Sequence, residues 1–475
     1  MSLHLALGNA LSGLAATARM AEIVAANLAG AQTDGYGRRT VELSSASLEG
    51  RGAGVRVDGI ARHADRALLA ERREAETALE GDRMRAGLLR GLEGVLVPAD
   101  GGGLADRIAA LETALVAAAA DPASEPRLGS VLDALEAVAT GLREAAGEVQ
   151  ARRAEADARA AHEVQEVNAA LAELARLNAA IPSARAAGRD AAGLLDQRQV
   201  LVDRIARALP LREVERPGGA IVLFTTGGAT LLEGTRASRL GLAPSQTVTA
   251  EQTAAAGGLS SLTLDGRSLA DPGGGVLGAA LGLRDRDLPA LGDRLDRLAA
   301  DLVERLGSGA DPLLPAAQAG LLVDGDGPAQ PERLAGLAGR IAVTAAVDPG
   351  RGGALWRLRD GPGAVSPGPP GAGGQILRWL DALAAPRPLG PDGQPAPAAG
   401  LAATVASGLG RQRLAAEDAE GFAAARWSTL REVELARGVS TDAELQMLLR
   451  IEQAHAAHTR IIAAVDAMMR RLTEI

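Results

Sequence analysis

Few residues in this chain have the types and spacing to carry chemistry. Glu452 and His455, with His458 one turn on, lie in a helical pattern at the spacing by which a helix offers half of a di-iron carboxylate site. A working centre needs a second such pair and further carboxylates. With five histidines and no cysteine, the chain holds no second copy. Packing or a cross-helix hydrogen bond is the simpler role for the two histidines. Gly101-Gly102-Gly103 and Gly273-Gly274-Gly275 suggest phosphate loops, but neither leads into the Gly-Lys-Ser/Thr ending of such a loop. Asp196-Gln197-Arg198 sits in a helical pattern, where a structural hydrogen bond or ion pair inside the body is expected. The charges from Arg152 to Glu166 read as a solvated helix face. No Ser-His-Asp, paired-carboxylate or Cys-His set can be assembled. An enzyme is disfavoured, and no catalytic, metal-binding or cofactor-binding residue is assigned.

The elements that must position these groups are mostly helices, and the clearest stand at the two ends. Leu3, Leu7, Ala10, Leu14, Thr17, Ala21, Val24 and Leu28 repeat at heptad spacing and lead to Gly30, where glycine suits a helix end. Leu448, Ile451, His455, His458, Ile462, Val465, Met469 and Leu472 form a second seam behind Thr441-Asp442-Ala443-Glu444, whose Thr and Glu stand at capping-box spacing. Leu445, Ala454, Ile461 and Met468 widen that seam into a stripe that asks for a partner along its whole length. The termini are expected to pair, with everything between them an excursion out and back. A two-helix pair is marginal in water, so other copies are expected to cover the remaining faces.

Composition narrows the class. Apolar residues make up 47% and aromatics 1%, so cores must be built from Ala, Leu and Val, which suit close helix packing. No lysine occurs, and all 50 basic residues are arginine. A net charge of −9 argues against nucleic acid as a partner, since phosphate binding needs a basic surface. No apolar run is long enough to span a bilayer, so membrane insertion is not expected. Asn9 and Ser12 interrupt the N-terminal apolar pattern, which speaks against a cleavable signal peptide.

Between the ends, the glycine-rich turn Gly30–Gly37 holds the chain's one tyrosine, Tyr36. Short strands broken by Gly50, Gly52, Gly54 and Gly59 are expected over 41–60. Helices follow over 65–96 and 104–120, the latter stopping at Asp121-Pro122. Leu128, Val131, Leu135, Val138, Leu142 and their successors to Leu177 predict an extended rod from 127 to 181, halted by Pro182. A shorter helix occupies 188–209. β-like pieces separated by glycine lie within 211–275, and a helix runs from about 276 to 306. Residues 307–400 are rich in Gly, Pro and Ala, and a last body helix spans about 404–437. The expected fold class is mainly α and elongated. It comprises a terminal-helix coiled coil (1–40 and 439–475), a helical-bundle body (41–306 and 401–438) with a β-containing insertion at about 211–275, and a small loop-rich outer domain (307–400).

Three blocks of residues together resemble the flagellar hook-associated protein family of the hook–filament junction. Asn27-Leu28-Ala29-Gly30 through Gly35-Tyr36-Gly37-Arg38-Arg39 is similar to the N-terminal signature of axial flagellar proteins, with Asp34 where proline is usual and Gly37 where serine is usual. Glu166-Val167-Asn168 through Asn178 to Asp196-Gln197-Arg198 resembles the junction protein's own signature. Gly438 to Asp442, with Leu448-Leu449 and Glu452 to His455, is similar to the family's C-terminus. The family-signature residues are thus Asn27, Gly35, Tyr36, Asn168, Asn178, Asp196, Gln197 and Arg198. The resemblance implies a secreted structural subunit of the bacterial flagellum, exported through the flagellar type III route. It implies subunits stacked as a homo-oligomeric ring between the hook protein and a second junction protein, with an export chaperone on the C-terminal region. The expected subunit interface is the two seams, Leu3, Leu7, Leu14, Val24 and Leu28 with Leu448, Ile451, His455, Ile462, Val465, Met469 and Leu472. The rival readings are another axial subunit, flagellin-like, and a metal-binding helical protein.

Overall fold

The structure is a computed structural model that describes residues 3–48, 51–98, 101–269, 271–315, 318–325, 327–391 and 393–473. Its ends are helices, α1 (Leu3–Gly30) and α12 (Thr441–Thr473), and they pack against each other as the two heptad seams predict. Leaving α1, the chain forms a hairpin of β1 (Arg38–Leu48) and β2 (Arg51–His63) that leans on α1. These strands are longer than the glycine spacing suggests. Two register shifts, at Glu42/Leu43 and Ser45/Ser47, absorb the extra residues instead of ending the ladder. Gly54, at φ +97°, sits where a Cβ would meet Ser12. Gly50 lies outside the described residues.

The body is a helical bundle around one long rod. α2 (Arg66–Leu96) begins on an Asp65 cap that accepts from the Leu68 N–H, and α3 (Leu104–Ala120) follows. α4 (Glu125–Ala186) has 62 residues, a length of about 93 Å at 1.5 Å per residue. It runs one turn past Pro182, because Ile181 and Ala184 are held in a buried cluster with the start of α5 (Ala192–Ala208). The near half of α4, through Leu135, Leu142 and Val149, packs in one core. The far half, through Val164, Leu171 and Leu174, packs in a second. α4 is therefore the spine that two cores share.

The far core takes in the β-rich segment. β3 (Leu211–Glu215), β4 (Ile221–Thr225), β5 (Thr230–Glu233) and β6 (Arg236–Ala237) make an antiparallel sheet in chain order. β7 (Leu240–Gly241), β8 (Thr263–Leu264) and β9 (Arg267–Ser268) make a smaller one. The helix expected over 276–306 is present as α6 (Gly275–Gly282) and α7 (Leu288–Arg305), joined by a π-helical turn over 283–287. That turn carries Arg284 inward, fully buried, onto Asp157 of α4 at 2.5 Å.

Residues 307–400 build onto the near core. β10 (Leu322–Asp324) pairs with β11 (Ile341–Val343), with the one-turn α8 (Leu337–Arg340) between them. Beyond them lie α9 (Trp356–Asp360) and α10 (Gly374–Ala384). Trp379 of α10 is fully buried there and donates to the Leu358 carbonyl at 3.3 Å. Arg305, also fully buried, donates to the Ala382 and Ala385 carbonyls at 2.6 Å each, satisfying the open end of α10. α11 (Ala398–Arg437) then returns along α2 to the base of the terminal pair.

Candidate functional site: the polar hub beneath the terminal helices

Where α1 ends and α12 begins, polar groups from five elements converge. Asn27, 1% exposed, uses both ends of its amide. Its Oδ1 accepts from the Arg39 N–H and the Tyr36 hydroxyl, each at 2.9 Å, and its Nδ2 donates to the Arg39 carbonyl at 2.8 Å. Nδ2 also reaches Glu444 Oε2 at 3.2 Å, which ties the last turn of α1 to the first turn of α12. Glu444 is itself 1% exposed and accepts from Arg38 Nε at 2.7 Å. A buried carboxylate needs such partners, and here two of them come from the opposite end of the chain.

The same turn is fastened to the body through Asp196 on α5. Its carboxylate accepts from the Gly37 N–H at 3.0 Å, from Arg62 Nε at 2.6 Å and from an Arg39 terminal nitrogen at 2.5 Å. Arg62 also donates to the Gly35 carbonyl at 2.8 Å and to Gln199 Oε1 at 2.6 Å. Arg39 lies over the Tyr36 ring, 4.8 Å from its centroid. Burial raises the Tyr36 phenol above its ordinary pKa against the lowering pull of Arg39, so the hydroxyl stays a donor to Asn27. Two glycines allow the close approach. Gly35 adopts φ +78° against Val200, and a Cβ on Gly30 would enter the Tyr36 ring. Asp34 ion-pairs with Arg431 of α11.

The other signature residues lie along the rod. Asn178 brackets the β3–β6 sheet, donating to the Ile221 carbonyl at 2.7 Å and accepting from the Ile221 N–H at 2.9 Å. Asn168 does the same to Leu240, at 2.8 and 2.9 Å. A side-chain amide that mimics a strand edge in this way docks strands onto a helix. Arg198 is buried and donates to the Gly219 carbonyl at 2.5 Å, whereas Gln197 faces solvent. The hub residues that sequence reasoning missed are Arg62, Gln199 and Glu444. Gln199 stands three residues after Asp196, on the same helix face, so its spacing was a usable signal. Glu444 does not complete a capping box, since Ser440 caps α12, its Oγ accepting from the Ala443 N–H at 3.3 Å. With the cap one residue earlier than Thr441, the Glu444 side chain is released to Asn27 and Arg38.

Along the terminal pair, Val24, Ile451 and Val465 are buried, while Leu3, Leu7, Leu14, Leu448, Ile462 and Met469 are half-buried. Leu28, His455 and Leu472 are exposed. Within the pair, Ala454 and not His455 is turned toward α1, a small residue where the helices come together. His458 fills the notch left by Gly13, whose Cβ position would collide with the imidazole. Glu452 and His455 both face solvent, and among the described residues no group of three or more His, Cys, Asp or Glu converges as metal ligands. The two triple-glycine runs lead into helices, the first capping α3 and the second opening α6. Gly101 and Gly102 both stand at φ +88°, and Gly275 packs where a Cβ would strike the Ala208 carbonyl.

The rod that carries Asn168 and Asn178, with the strands they hold and α6–α7, is the part of the chain that matches a known family. The match is to the flagellar hook-associated protein FlgK helical domain, over residues 89–308. The match takes in under half of the chain and is to that one domain of the family. That family is a structural one of the flagellum and not enzymatic. The structure of the flagellar hook junction protein FlgK from Burkholderia pseudomallei is similar at 19% identity and a TM-score of 0.47, covering 54% of this chain and 47% of that one. The chain thus matches less than half the length of that FlgK structure. No curated protein matches this chain. Among the described residues, no helix is long and apolar enough to cross a membrane.

Proposed function

We propose that this chain is a structural subunit of the junction between flagellar hook and filament, and that it assembles through α1 and α12. The observation that carries the reading is the uncovered apolar surface of the terminal pair. Of the described residues of α12, only Glu444, Ile451 and Val465 are buried, while Leu445, Leu449, Ile461, Met468 and Leu472 remain exposed. Leu11 and Leu28 extend the surface onto α1. A patch of this kind on a helical pair marks a surface meant for other helices. Further copies of the chain form a ring by covering it, so the predicted interface residues 3–28 and 448–472 act there. The terminal helices (1–40 and 439–475) are the assembling part, and the remainder faces outward as the body. The hook protein and a second junction protein flank the ring, and an export chaperone holds the C-terminal region before assembly.

A strain lacking this chain, examined by electron microscopy and motility assay, tests the role. Hooks without filaments, restored by the intact gene and not by one deleted for 441–475, are expected. Normal filaments in the deletion strain would end the proposal.

A further inference from the structure

Behind the hub, a cavity of about 460 Å³ opens between α2, α5 and β3. Arg198 lines it and is 9% exposed. Its one hydrogen bond within the chain is to the Gly219 carbonyl, and among the described residues no carboxylate stands within 4.0 Å of its guanidinium. Glu213 and Glu215, which line the cavity beside it, are already engaged. Glu213 is held by Arg73 at 2.6 Å, and Glu215 by Arg66 and, at 3.9 Å, by Arg185. Burial pulls the Arg198 guanidinium below the ordinary arginine pKa, with Glu213 and Glu215 opposing from beyond contact and Arg185 and Arg62 adding like charge. A buried cation so poorly compensated is costly unless an anion completes it.

Next to it, Gln199 is 8% exposed and spends its Oε1 on Arg62. Its Nε2 protons take no partner among the described residues, and the residue lines the same cavity. Leu195 and Leu211, both half-buried, line it with apolar surface. Convergent donors above an apolar wall, in a volume of this size, form a small-molecule site rather than a seat for a loop.

We propose that this cavity binds a small organic carboxylate, its head group on the Arg198 guanidinium and the Gln199 amide and its apolar part against Leu195 and Leu211. A carboxylate matches the planar fork of arginine, and the apolar wall favours an organic acid over an inorganic oxyanion. The site is separate from the terminal seams, so its occupancy does not depend on assembly.

Calorimetric titration of the full-length protein with hexanoate, hexanol and inorganic phosphate at matched ionic strength tests it. Saturable hexanoate binding at one site is expected, with hexanol and phosphate each weaker by about tenfold or more, the scale of a charge-assisted hydrogen bond. Arg198→Met is expected to abolish hexanoate binding. Should that variant fail to fold for want of its Gly219 bond, Leu195→Trp keeps the arginine while filling the cavity from a half-buried position, and it too should lose binding. Equal affinity for hexanoate and hexanol, or phosphate binding as tightly as hexanoate, would overturn the proposal, as would hexanoate binding that survives Leu195→Trp. So would hexanoate binding that vanishes as the protein self-associates, since the occupant would then be an acidic side chain of a second copy.

Discussion

At the scale of single residues, the molecule relies on charged groups that give up solvent and gain several partners at once. Glu444 shows the pattern: it is buried, and it takes one partner from α1 and one from the start of β1. Glu444→Ala leaves Asn27 with an unmade bond and Arg38 without its carboxylate. The expected loss is about 2–3 kcal/mol, because Asn27 is left buried with an unmade bond, while contact with water keeps the cost to Arg38 small. Denaturant unfolding of the variant checks the size, and Glu444→Gln should recover part of it by keeping the Asn27 contact. A wild-type midpoint in Glu444→Ala would mean that the hub is ornamental. The arginine-only composition suits this chemistry, because the buried Arg305 and Arg284 each meet several acceptors that a lysine could not reach together.

At the scale of elements, the terminal pair is anchored at one end and open at the other. Burial on α1 runs from Ala10 through Gly13, Ala16 and Thr17 to Ile23, Val24, Asn27 and Gly30 at the hub, while Leu3 and Leu7 are only half covered. Hydrogen exchange on the free monomer should therefore be graded, with protection over 10–30 and 444–465 and rapid exchange over 3–9 and 466–472. Uniform strong protection of both helices would show a pair that needs no neighbours. The Gly13–His458 notch makes a sharper test. In an exposed helix, Gly→Ala gains about 1 kcal/mol, but here the new Cβ displaces the imidazole at a cost of about 1–3 kcal/mol. Gly13→Ala should thus destabilise the wild type and stabilise a His458→Ala background. The same sign of change in both backgrounds would remove the notch from the account.

At the scale of the whole molecule, α4 joins two cores and the hub joins both chain ends to them, so body and termini are separable in stability yet fixed in orientation. Ile461→Asp places a charge on the exposed side of α12, where it meets water in the monomer and an apolar neighbour in an assembly. Circular dichroism and melting temperature should stay near wild type, while incorporation into hook ends fails. Loss of body helicity would show that the terminal pair is part of the body's stability instead.

Periodicity along the chain is enough to set out the helices and their partners. The long rod, the paired ends and the β-containing segment after Pro210 are legible because seam spacing and glycine placement are local properties, written within a few turns of chain. Which polar side chains meet was settled by the fold and not by any local pattern. Asp196 finds Arg39 and Arg62 across more than a hundred residues, and Glu444 finds Asn27 across the whole chain. It also turned Ala454 and not His455 toward α1, and chose Ser440 over Thr441 as the cap. A helical period is read along one segment, whereas the partner of a buried charge is set by the folding that brings distant segments into one low-dielectric place.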